Sequence, residues 1–218
     1  MSLNPPDFRL ADLHTLARRL EAGLASVTAQ VSLVGALRRR EPTHEIGFLV
    51  VPQSKAADLF GEAEPDLESI VSTTATWGDV TRRPDGNLLC VSRDHRSPGD
   101  EPLRILVTPV TDPSSWGVLL ARLTGPPMFF QYVADNLRER GLSVAADGRT
   151  LLKNGAQVPV PSEEILFQLA GVEWLSPESR DVFARDHATS HAELEPDPVV
   201  HSRNHLEHQG RGMTIERD

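Results

Sequence analysis

The sequence predicts an α+β fold in which a mixed or antiparallel sheet is backed by helices. Three observations carry this. Apolar residues recur at helical spacing from Leu13 to Val27. Short apolar runs at 31–34, 46–51 and 103–110 have the length and β-branched content of strands. A strong turn signal, Pro84-Asp85-Gly86-Asn87, lies inside the segment Trp77 to Val91 and marks a hairpin.

Taken in order, residues 8–30 read as a helix, with Asp7 or Asp12 expected to cap it. Strands 31–34 and 46–51 follow, joined by a basic segment at 35–45. Ala56 to Ile70 reads as two short helical pieces split near Pro65. The hairpin, the strand Leu103 to Val110 and a helical start at Trp116 to Leu123 come next. Helices are expected at about 127–140, ended by Gly141-Leu142, and at 162–170. From His187 onward the pattern fails. That tail carries five of the eight histidines and few large apolar residues, so it is expected to be irregular or ordered only by a partner.

Composition narrows the function classes. The chain has 218 residues, 39% hydrophobic and 24% charged, enough for one or two small domains. Its longest apolar runs are too short to span a bilayer, and no secretory leader opens it, so no membrane partner is expected. The single cysteine, Cys90, lies among apolar neighbours and is expected in a buried strand of a cytoplasmic protein. A net charge of −9 gives no broad field for phosphates, so any nucleic-acid contact must come from a local patch. Arg38-Arg39-Arg40 is the best such patch.

Two groups of motifs have an ordered spacing. Gly35-Ala36-Leu37-Arg38-Arg39-Arg40 stands after a helix and a strand, and Glu45-Ile46-Gly47-Phe48 opens the next strand. Further on come Leu123-Thr124-Gly125, Asn136 to Leu142, Asp147-Gly148, Ser162-Glu163-Glu164-Ile165, Leu169 to Val172 and Trp174 to Arg180. This series resembles the palm and thumb of the family X DNA polymerases, the polymerase beta-like nucleotidyltransferases, over roughly residues 10–182. The resemblance implies a palm over 1–120, a thumb over 121–186 and a polar tail over 187–218. The helix-hairpin-helix DNA-binding domain that family members carry upstream is expected to be absent.

The resemblance also implies where chemistry should sit. In the family, two acids at alternate positions of one strand and a third on a neighbour hold two magnesium ions. The paired positions fall here on Ile46 and Phe48, and the third within Leu103 to Val110, which contains no acid. Sliding the motif by one residue offers Glu45 and Gly47, still one acid. The expectation is therefore a catalytically inactive chain with no cofactor. Magnesium enters only if acids such as Glu45, Asp79 or Asp94 have taken over. The family's triphosphate contacts match Gly35, Ala36, Arg38, Arg39, Thr124 and Gly125, with Ala36 lacking the family's hydroxyl. Residual phosphate or nucleotide binding there is one reading; a tight turn followed by a solvated basic loop is the other.

Remaining constellations carry less. Asp94-His95 reads as an exposed loop. Trp77, Trp116 and Trp174 lie beside apolar residues and are expected in the core or at a domain seam. The expected role is a binding or interaction module in DNA repair, with a protein partner and weak DNA or nucleotide contact.

Overall fold

A computed structural model describes residues 8–55, 64–97 and 100–184 and has the expected α+β architecture. The expectation for the tail from residue 188 onward lies outside the described residues. Helix α1 (Leu10–Ala25) leads into strands β1 (Thr28–Val34) and β2 (Glu45–Pro52), linked through a 3₁₀ turn at Ala36–Arg39. Helix α2 (Leu67–Ala75), strands β3 (Gly78–Arg82), β4 (Leu88–Arg96) and β5 (Pro102–Pro109), and helix α3 (Trp116–Thr124) follow. Helix α4 (Pro127–Glu139), strands β6 (Leu142–Val144), β7 (Leu151–Lys153) and β8 (Ala156–Val158), and helix α5 (Glu163–Ala170) complete it.

The first sheet is mixed, in the order β1-β2-β5-β4-β3, with only the central β2–β5 pair parallel. The run Ile46 to Val50 supplies a strand buried on both faces, which is what a central position demands. One face rests on α1 and α2. Leu13, Ala17, Leu20 and Leu24 of α1 and Ile70 of α2 meet Ile46, Phe48, Ile105, Val107 and Cys90 in one core. Each large side chain buried there contributes about 1.5–3 kcal/mol. The second sheet is an antiparallel β6-β7-β8 meander packed with α4 and α5 around Phe129, Val133, Leu137, Leu166 and Phe167.

Helix α3 joins the two. Val118 and Ala121 belong to the second core, whereas Trp116, Leu119 and Leu120 cover Val34, Leu49 and Val110 on the first sheet's other face. The expected division at 120/121 therefore falls inside a helix that feeds both cores.

Several local expectations change. Helix α1 starts after Arg9 with no side-chain cap, and Asp12 instead sits in its first turn, where the helix dipole favours a carboxylate. Its strand partner begins at Thr28, three residues earlier than the apolar run suggests. Asp66 caps α2 by accepting from the Ser69 amide, so a single helix runs on to Ala75 after Pro65; residues 56–63 lie outside the described residues. Asp94 and His95 belong to the exposed end of β4 rather than to a loop. Trp116 is 3% exposed and Trp77 packs at the edge of the first core, but Trp174 is 46% exposed and belongs to no core. Among the described residues, no helix is long and apolar enough to cross a membrane.

Candidate functional site

The segment after β1 turns sharply because Gly35 adopts φ 80°, ψ −163°, a region only glycine occupies without strain. Its amide donates to the Leu123 carbonyl at 3.0 Å, tying the turn to the end of α3. Leu37 is fully buried and anchors the 3₁₀ turn. Arg40 ends it in the left-handed region at φ 61°, a position where a non-glycine residue is strained. This geometry throws Arg38 and Arg39 toward α3, α5 and the chain after α5.

Arg38 donates to both oxygens of Glu163, at 3.1 and 2.8 Å, and to the Thr124 hydroxyl. Glu163 is only 2% exposed and also accepts from Arg180 at 2.9 Å. Arg180 is fully buried, donates to the Leu175 carbonyl at 3.2 and 3.1 Å, and lies 5.2 and 5.4 Å from the ring centres of Phe129 and Phe167. Burial pushes the Glu163 carboxyl up, but hydrogen bonds and charge from Arg38 and Arg180 outweigh it and hold the group below its ordinary value.

Arg39 is committed on every side. Its Nε donates to Asp181 at 2.7 Å, Nη2 to Glu41 at 2.5 Å, and Nη1 to the Thr124 carbonyl. Gly125 follows at φ 65°, and a Cβ there would lie 3.3 Å from that same Nη1. Only Arg40 is solvated, 72% exposed with a 3.2 Å ion pair to Glu178.

All six residues expected at a phosphate site are thus brought together, with Ala36 opening the turn. Arg38 and Arg39 are neither a solvated loop nor free cations. Glu163, Arg180 and Asp181 complete the clasp and were not assigned to the site by sequence. Their partners lie as far as 142 residues away in the chain, and no local spacing reports a contact of that kind.

The positions matched to the family's acids lie in the core. Ile46 and Phe48 are fully buried and point into the core beneath α1 and α2, so they face no site. The alternate residues of β2 lie on the other face, where Glu45 is half-buried and Gly47 is buried. Glu45 stands opposite Arg104 of β5, Arg104 opposite Val91 of β4, and Val91 opposite Asp79 of β3. Gly47 cannot gain a side chain freely, because a Cβ would come within 2.9 Å of the Val34 methyl. The residues facing this surface do not fit a pair of magnesium ions: one carboxylate stands beside an exposed guanidinium. Among the described residues, no group of three histidine, cysteine or acidic side chains is placed to hold a metal.

Cys90 is buried in β4, as expected, and burial followed by the charge of Asp79 raises its thiol to about 11. The chain matches no family model and no curated protein.

Proposed function

We propose that this protein is a catalytically silent nucleotidyltransferase-like module, resembling the palm and thumb of the family X DNA polymerases, that acts by binding a partner. The palm corresponds to residues 1–120 and the thumb to 121–186. The observation that carries the reading is the row Glu45, Arg104, Val91, Asp79 across the first sheet. A two-metal site needs carboxylate oxygens about 2 Å from ions that lie roughly 4 Å apart. The second acid of this row lies three strands from the first, roughly 14 Å at ~4.8 Å per strand. It is held by Arg93 at 2.7 Å. The relocated-acid alternative therefore gains no support from Glu45 and Asp79.

Without metals, what the site offers is shape and paired charge. The principal partner is a protein, and the resemblance points to DNA repair in the cytoplasm, in keeping with one buried thiol. DNA or a nucleotide binds weakly near Gly35 and Arg39, because a phosphate must displace Asp181 or Glu41 from the guanidinium. Primer extension with magnesium or manganese tests the silent reading. No template-dependent extension is expected; extension that follows the protein through purification and falls in Arg39→Ala overturns it.

A further inference from the structure

A second feature lies outside the clasp. On the outer face of α1, a concavity of about 610 Å³ is lined by Leu10, Ala11, His14, Thr15, Arg18 and Arg40. His14 and Arg18 are one helical turn apart and share a face. Arg40 reaches the same place only because the 3₁₀ turn ends in a left-handed residue. The three ionisable groups of the lining are thus two guanidiniums and an imidazole, with no carboxylate among them.

Their commitments within the protein are slight. Among the described residues, Arg18 has no ion-pair partner, and the His14 ring makes no hydrogen bond; its Nε2 is shielded from solvent and unsatisfied. Among the described residues, Arg40 pairs with Glu178 alone, across a solvated 3.2 Å contact that competes weakly with a ligand. The fields of the arginines converge on the ring: burial, then Arg40, then Arg18, lower the His14 pKa.

We infer that this concavity binds a phosphate oxyanion, held by the guanidiniums of Arg18 and Arg40 beside the His14 imidazole. Two planar forks suit a tetrahedral anion with several oxygens better than a planar carboxylate. The inference does not depend on the proposed function, because it uses neither Arg38 nor Arg39. The source is either free phosphate or the phosphomonoester of a larger molecule, and both present the same oxygens.

Calorimetric titration of the full chain with inorganic phosphate, adenosine 5′-monophosphate and acetate tests it. Phosphate or the monophosphate is expected to bind and acetate not to; the tighter of the first two names the source. Arg18→Ala and Arg40→Gly should each weaken binding about tenfold, the loss of one charge-assisted hydrogen bond. The glycine keeps the left-handed turn, and both sites are exposed, so unchanged thermal melting will show that the variants fold. By NMR, the His14 ring should titrate at higher pH when phosphate is present, since the anion offsets the two guanidiniums. Acetate binding as tightly as phosphate, affinity unchanged in Arg18→Ala, or affinity abolished by Arg39→Ala with Arg18→Ala neutral would each overturn the inference. The last outcome would move the anion to the clasp.

Discussion

Replacing Glu163 by glutamine tests the clasp most directly. The carboxylate accepts three charge-assisted hydrogen bonds, at 3.1, 2.8 and 2.9 Å, while only 2% exposed. Glutamine keeps the shape and one acceptor oxygen, but its amide turns donors toward a guanidinium. Arg180 then remains a fully buried cation whose one other oxygen partner among the described residues is the Leu175 carbonyl. Breaking a buried pair from one side costs about 3–5 kcal/mol. Glutamine, as the mildest change, should fall near 3 kcal/mol. That is a large part of the ~5–15 kcal/mol that a folded chain commands.

With a urea m-value of about 2 kcal/mol per molar, the unfolding midpoint should fall by roughly 1.5 M. The thermal midpoint should fall by about 6–12 °C. Arg40→Ala is the control, since it removes an exposed ion pair and should cost less than ~0.5 kcal/mol. A midpoint shift below about 0.3 M for Glu163→Gln, with m unchanged, would refute the view that this carboxylate holds Arg38 and Arg180 in place. A double-mutant cycle between Arg38 and Glu163 would then assign what remains of their coupling.

Other expectations follow from single observations. Glu163 is held below its ordinary pKa, so its stabilisation is present above the unfolded carboxyl value of about 4.3 and lost as pH falls through the lower folded value. The gap between wild type and Glu163→Gln should therefore close on acidification below about pH 4, measured by urea midpoints at successive pH values. Cys90, raised to about 11, should resist alkylation in the native state at pH 8 and react only on unfolding. Trp116→Ala should cost about 3–5 kcal/mol, whereas Trp174→Ala should change stability by less than ~0.5 kcal/mol in the same denaturation assay. Phe48→Asp should prevent folding, because it buries a carboxylate in the first core.

The strands and helices were legible because their signals are local. The unbroken apolar run at Ile46 to Val50 and the Pro84 to Asn87 turn each mark an element by themselves. Which face of β2 looks outward was not legible. Burial on both faces erases the period-2 alternation that reports orientation, so Ile46 and Phe48 fitted the acid positions by counting alone. A one-residue difference in the preceding loop reverses every side chain, and only the ladder to β5 and the packing of α1 fix the choice. Trp174 failed for a related reason. Apolar neighbours in sequence say nothing of what lies across space, and here that is solvent.

The arginine run was legible as a site but not as a commitment. Three consecutive arginines read as a basic patch, and a patch invites a phosphate. In the fold, Arg38, Arg39, Arg40 and Arg180 meet Glu41, Glu163, Glu178 and Asp181, so the region is balanced charge for charge. The presence of Arg38 and Arg39 consequently carries little weight for a phosphate site, because tying α5 and Arg180 to the first sheet is sufficient reason for them. The argument for anion binding moves to cations that the fold leaves uncommitted. Arg18 on α1 and Arg104 on the open sheet face are such cations, and no sequence motif singled out either one. Arg104 stands beside Glu45 across the β2–β5 ladder, whereas the ionisable groups that share the concavity of Arg18 are His14 and Arg40. A search for phosphate contacts in this protein should therefore begin on the outer face of α1.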